Sequence, residues 1–283
     1  MSLPTQRDAA GQLRALGWSK YFADQATSAA LSKTPPVRIT QVHRNTLHIQ
    51  GVDLDMIIPG LHGVTVGDWL LFDADTPRNS QLLSRKSLIK RRAPGHDRKE
   101  QLIAANLDTA FVVTSCNNDF SLARLERYVA MAHEAGVTPV IILSKIDLTT
   151  EASDFAAQAQ SISPQLSVVC LDARSPEAIE LLRPWCQAGQ TVAFLGSSGV
   201  GTSPLTNSLA GHKPLATQDV RASADNGRHT TTPRHLHILS SVCAVLHTPA
   251  IPEITLTDFP FRLASTLAYL LALHPHFLLN SLS

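Results

Sequence analysis

The sequence predicts an α/β protein in which an N-terminal OB-fold β-barrel precedes a phosphate-loop domain. Three observations carry that expectation: short alternating runs between Val37 and Ser84, strand and helix alternation after Gln101, and a glycine-rich turn from Gly196 to Ser203. Alternating strands and helices build a mostly parallel sheet with helices on both faces, and ligands of such sheets sit at the carboxyl ends of the strands.

Size and charge bound the partners. A chain of 283 residues, 44% hydrophobic, is long enough for roughly two domains with buried cores. A net charge of +1 creates no molecule-wide field that would draw the protein onto nucleic acid, so any such contact needs a local patch. Cys116, Cys170, Cys186 and Cys243 contain no Cys-x-x-Cys pair, and Met1 to Ala10 is too polar for a signal peptide, which together predict a reduced, cytoplasmic protein. Leu263 to Ser283 carries no Asp, Glu, Lys or Arg. His274-Pro275-His276 interrupts it, leaving an apolar run of roughly a dozen residues, short of a membrane span, so no membrane contact is expected.

In chain order, residues 1–34 read as a helical leader anchored by Leu13, Leu16, Trp18 and Phe22. Residues 35–84 carry strand-like runs at 37–42, 46–50, 53–58 and 68–72, separated by Asn45, Gly51, Pro59-Gly60 and Gly67, which is the texture of a small barrel. Residues 85–100 form a basic linker: Arg85-Lys86, Lys90-Arg91-Arg92 and Arg98-Lys99 flank Pro94-Gly95. From 101 to 250, strands are expected at 109–114, 138–143, 166–170, 191–195 and 242–246, with helices at 122–135 and 176–185. Residues 251–283 form an uncharacteristic, leucine-rich tail.

Two motifs fall where such a sheet binds ligands. Thr191 to Leu195 runs into Gly196-Ser197-Ser198-Gly199-Val200-Gly201-Thr202-Ser203 and then an apolar helical stretch, the strand, glycine loop and helix of a phosphate-binding loop. Its glycines let successive N–H groups and a helix N-terminus surround a phosphate. The usual lysine is replaced by Thr202, whereas Ser203 keeps the hydroxyl that would face Mg²⁺. Earlier in the chain, Ser144-Lys145-Ile146-Asp147 follows a buried strand and fits the Asn-Lys-x-Asp pattern that reads guanine, its aspartate accepting from two N–H donors of the base.

Two further segments are weaker. In Gly227-Arg228-His229-Thr230-Thr231-Thr232, a threonine such as Thr231 would complete a Mg²⁺ shell and His229 would orient water. His247-Thr248-Pro249-Ala250 stands where a GTPase would place Asp-x-x-Gly, so the carboxylate that supports Mg²⁺ and the glycine that meets the γ-phosphate are both replaced.

The base-reading motif precedes the phosphate loop, the reverse of ordinary GTPases. With Leu16-Gly-Trp18, Val66-Gly-Asp-Trp69, the run from Arg98 to Asn106, Val113-Thr-Ser-Cys116 and the segment 227–232, this order resembles the circularly permuted small-ribosomal-subunit-dependent RsgA (YjeQ) GTPases over roughly residues 11–250. The resemblance implies an OB-fold, a permuted GTPase domain and a C-terminal zinc domain that act on the 30S subunit and its 16S rRNA late in assembly. It implies Ser144 to Asp147 at the base, Asp172 and Ala173 beside them, Gly196 to Ser203 at the phosphates of GTP or GDP with Mg²⁺, and His229 as the catalytic histidine. Thr202, His247, Ala250 and the uncharged Ala222-Ser223-Ala224 depart from the family pattern, so weakened hydrolysis is expected of a monomeric protein. No cysteine follows Cys243, so no zinc is expected. A non-enzymatic rRNA-binding module and an eroded gene product are the alternatives.

Overall fold

The computed structural model describes residues 6–92, 100–197, 199–210, 235–239 and 243–247. The leader forms three short helices, α1 (Gln6–Ala15), α2 (Lys20–Ala23) and α3 (Ser28–Lys33). The Thr27 hydroxyl caps α3 by accepting from the Ala30 amide at 3.2 Å. Five strands follow: β1 (Pro36–Val42), β2 (Thr46–Gly51), β3 (Leu54–Pro59), β4 (Trp69–Leu71) and β5 (Gln81–Leu82). They pair in the order β3-β2-β1-β4-β5. Val37, Ile39, Leu47, Ile49, Ile58, Leu70 and Phe72 fill the inside of this curved strip. Its two ends, β3 and β5, form no ladder with each other, so among the described residues the strip is an open arrangement rather than a closed barrel. Leu16, Phe22 and Trp18 of the leader cover its other side at Trp69 and Leu71.

The basic segment is partly structured. Strand β6 (Leu88–Arg92) pairs antiparallel with β7 (Glu100–Ala105) as a separate two-stranded sheet. Ile89 and Ile103 are buried, and that burial turns what composition alone describes as a hinge into a hairpin. Residues 93–99, between the two strands in sequence, lie outside the described residues.

Strand and helix then alternate: β8 (Thr109–Ser115), α4 (Leu122–Glu134), β9 (Thr138–Ser144), α5 (Ala152–Gln160), β10 (Ser167–Cys170), α6 (Glu177–Leu182), β11 (Thr191–Gly196), α7 (Thr202–Ala210), β12 (His235–Ile238) and β13 (Ala244–His247). Strands β10, β9, β8, β11 and β13 lie side by side in parallel. All of β8 is buried, as a strand covered on both faces must be. Its side chains alternate between two cores. Ala110 and Val112 face Leu125, Val129 and Ala132 of α4, while Phe111 and Val113 face Leu182 of α6 and Leu205 and Leu209 of α7. On α4 the buried residues Leu125, Tyr128, Val129 and Ala132 fall at helical spacing, and each large one contributes about 1.5–3 kcal/mol by leaving water.

Strand β12 runs antiparallel to β13 and meets β1 at the single register pair Gln41 and His235, so the N-terminal strip and the parallel sheet are continuous. Behind this seam lies Arg38. Its guanidinium is buried and donates to the carbonyls of Leu16 (2.5 Å), Gly67 (3.3 Å) and Asn106 (3.1 Å) and to the Thr191 hydroxyl (2.8 Å). Burial pulls its pKa down to about 10, with Asp108 and Asp68 acting in the opposite direction. Gly67 (φ +90°) passes so close that a Cβ would lie 2.1 Å from the Ala105 carbonyl oxygen. Asp68, wholly buried, accepts a two-pronged contact from Arg85, Nε and Nη2 each at 2.7 Å.

Candidate functional site

The segments at the carboxyl ends of β9, β10 and β11 converge on Gly201. That glycine (φ +102°) leads from the phosphate loop into α7, and a Cβ there would lie 3.2 Å from the Ala173 Cβ and 3.8 Å from the Ser144 Cβ. Gly196 is equally confined, because a Cβ would meet the Val113 carbonyl oxygen at 2.5 Å. Gly199 has φ +87° and open space around it. These positions are ones that side chains would fill or strain, which is what a backbone cradle for an anion requires. Ser203 is half-buried in the first turn of α7, and Ser198 lies outside the described residues.

Ser144 joins the two motifs. Fully buried, its hydroxyl lies 2.5 Å from the Val200 carbonyl oxygen in the phosphate loop and 3.2 Å from the Thr114 carbonyl oxygen on β8. A hydroxyl has one proton, so it serves these two acceptors by sharing, where the two N–H donors of an asparagine would serve both. After Ser144 the chain turns sharply: Lys145 is left-handed (φ +59°), and Ile146–Leu148 forms one 3-10 turn. This presents the Asp147 side chain to solvent, free of the core. Across the cleft, the Asp172 carboxylate accepts from the Arg174 amide at 2.9 Å, a turn contact that places Ala173 against Gly201.

One participant has no counterpart in the motif reading. Asp119, in the loop between β8 and α4, accepts from the Ser197 hydroxyl at 2.7 Å and pairs with Arg124 at 3.1 Å. Its loop is fixed by Asn117, whose side-chain oxygen accepts from the Ser115 hydroxyl at 2.8 Å and from the Asp119 amide at 2.9 Å. Its sequence signal is positional: β8 neighbours β11, so the segment after β8 must border the segment after β11.

The remaining expected residues are His229, Thr231 and Ala250, and they lie outside the described residues, as does the tail 251–283. His247 closes β13, beside β11. Among the described residues no cluster of three or more His, Cys, Asp or Glu side chains could hold a metal, and no helix is long and apolar enough to cross a membrane. The four cysteines are free thiols. Burial, with Cys170 nearby, pushes the Cys116 thiol up to about 11, and contact with Cys186 together with burial raises Cys243, so these two thiols are poor nucleophiles. A separate cavity of about 450 Å³, lined in part by Lys86, Asp108 and Trp185, lies at the opposite, amino ends of β8, β9 and β11.

A strand, a turn with two confined glycines and a helix, set at the carboxyl end of a parallel sheet, form the architecture of phosphate-loop proteins. Comparison with known proteins gives the same class more narrowly. The RsgA GTPase family profile matches residues 82–257. The chain is 42% identical over 268 residues to the small ribosomal subunit biogenesis GTPase RsgA of Mesorhizobium japonicum, covering 92% of this chain and 77% of that protein. It is 39% identical to RsgA 2 of Vibrio parahaemolyticus, covering 93% and 74%. The fold resembles YjeQ from Thermotoga maritima (TM-score 0.58, 20% identity, 78% of this chain and 76% of that one). It also resembles YloQ, a circularly permuted GTPase (TM-score 0.52, 20% identity, 79% and 74%). The protein belongs to the RsgA GTPase family.

Proposed function

We propose that this protein binds GTP and GDP and acts on the 30S subunit and its 16S rRNA during late maturation, with hydrolysis slowed by its own substitutions. The observation that carries this reading is the Ser144 bridge, which holds the base-reading turn and the phosphate loop at a fixed separation around Gly201. Asp147 would accept from the guanine N1–H and 2-amino groups, Lys145 would cover base and loop, and Asp172 with Ala173 would border the base. Gly196 to Thr202, Ser197 and Ser198 included, would wrap the phosphates. Ser203 and Thr231 would hold Mg²⁺, and His229 would orient the attacking water. The bound metal would neutralise charge between the outer phosphates.

The fit is uneven. The confined glycines suit a polyphosphate, but Thr202 brings no cation, and His247 brings no carboxylate for the metal. Losing one transition-state cation costs roughly 10³–10⁵ in rate. The open strip 36–82 is read as the OB-fold, with residues 101–250 as the permuted GTPase domain. Lys90 and Arg91 of strand β6 would offer local positive charge toward rRNA. The protein is read as a cytoplasmic monomer.

The test is calorimetric titration with GDP and a non-hydrolysable GTP analogue, with and without Mg²⁺, beside a T202K/H247D/A250G variant assayed for hydrolysis with 30S subunits. Binding by the native chain, with turnover restored in the variant, supports the reading. No binding by either protein defeats it, and salt-dependent RNA binding that ignores nucleotide would replace it with a non-enzymatic ribosome-binding module.

A further inference from the structure

The phosphate loop lacks its own cation, yet a guanidinium stands one oxygen atom away. Asp119 Oδ2 accepts from the Ser197 hydroxyl at 2.7 Å and, on the same atom, pairs with Arg124 Nη2 at 3.1 Å. Arg124 Nη2 also donates to the Asp119 main-chain carbonyl, so the guanidinium grips the residue at two points. We infer that Arg124 is the cation that replaces the missing loop lysine, with Asp119 holding it beside Ser197 until nucleotide phosphate takes the carboxylate's place. This rests on the reading that the site binds guanine nucleotide.

Three features favour exchange over a fixed brace. First, Ser121 caps α4 by accepting from the Arg124 amide at 3.4 Å, which puts Arg124 in the helix's first turn. The helix dipole disfavours a cation there, so the position is kept against the local electrostatic preference. Second, the pair is open to water, with side-chain exposures of 43% for Asp119 and 21% for Arg124. An exposed pair of this kind adds little to stability and can be traded for a better anion. Third, a phosphate offers the planar fork of arginine two oxygens and more negative charge than a carboxylate, so arrival of a polyphosphate favours the exchange. Asp119 is not a dangling group that could drift in by chance, since Asn117 fixes its loop.

The experiment is fluorescence titration of the full chain with a labelled GDP and a labelled non-hydrolysable GTP analogue, using the native protein and the variants R124A, R124K, D119N and R124A/T202K. R124A is expected to weaken binding about tenfold to a hundredfold, more for the triphosphate, with R124K intermediate. Restoring the loop lysine in R124A/T202K should recover affinity. D119N should tighten binding, because it removes the competing anion while leaving the guanidinium free. A mere structural brace predicts the opposite sign, with D119N and R124A weakening binding alike, and that result overturns the inference, as does an unchanged affinity in R124A. Thermal unfolding of each variant identifies loss of fold, and R124K, which keeps the charge, carries the test if R124A is unstable. Failure of the native chain to bind either nucleotide would defeat the nucleotide-binding reading itself, an outcome distinct from native binding that ignores Arg124.

Discussion

Arg38 Nη1 donates to the Thr191 hydroxyl across 2.8 Å, joining the first strand of the N-terminal strip to the strand that ends in the phosphate loop. The contact is buried, and the other bonds of the same guanidinium reach the leader, the Gly67 turn and the Asn106 turn. The elements around the seam therefore share one charged hub, and its loss should be felt by all of them.

Arg38→Met is expected to destabilise the protein by about 3–5 kcal/mol, since several buried carbonyls lose a charged donor at once. Arg38→Lys should recover little, because an ammonium cannot span the fork. Thr191→Val should cost about 1–3 kcal/mol. Urea unfolding of the three variants measures this, and equal midpoints for Arg38→Met and the native protein would contradict the hub.

Gly67 and Gly63 allow a controlled comparison, with φ of +90° and +72°. A Cβ on Gly63 meets nothing within 4 Å, so Gly63→Ala should cost only the backbone strain, about 1–2 kcal/mol. Gly67→Ala adds a collision with the Ala105 carbonyl and should cost several kcal/mol or abolish soluble expression. Thermal midpoints of the two proteins should separate clearly.

Ser144→Ala leaves the buried Val200 carbonyl without this donor and should cost about 1–3 kcal/mol. Because that carbonyl belongs to the phosphate loop, nucleotide affinity should fall as well, whereas a Gly63 variant of similar stability should bind normally. A Ser144→Ala protein with undiminished affinity would separate the bridge from binding.

His133, in the last turn of α4, has its pKa lowered by burial. A folded-state pKa below the ordinary His value of about 6.5 means that the unfolded chain takes up protons more readily. Stability is therefore full above about pH 6.5, falls as pH drops from there through the lowered folded value, and levels off below it. His133→Gln should flatten the acid side of a stability curve measured between pH 5 and about pH 8.

Much of the parallel domain was legible because its signals are local. The apolar runs at β8, β9 and β11 and the glycine loop carry their own context, and the structure places each where the alternation predicts. The curved strip was legible in its strands but not in its closure, since whether β3 meets β5 depends on tertiary geometry that alternation does not encode. Val66-Gly-Asp-Trp69 and the run ending at Asn106 stood out as family-like motifs, and the structure shows them packed at the seam around Arg38 and Arg85. Asp119 was missed for the converse reason. A lone aspartate in a loop has no pattern, and its meaning comes only from the adjacency of β8 and β11.

The seam at Gln41 and His235 has a consequence for the protein during synthesis. Strand β1 leaves the ribosome that makes it long before its partner β12. Until residue 191 emerges, Arg38 lacks one of its acceptors, and until residue 235 emerges, one flank of β1 at Gln41 is unpaired. A nascent or prematurely terminated chain thus carries an open strand flank and an incompletely paired buried cation, both of which invite association with other chains. The amino-terminal strip is in this sense finished by a strand made much later in the chain.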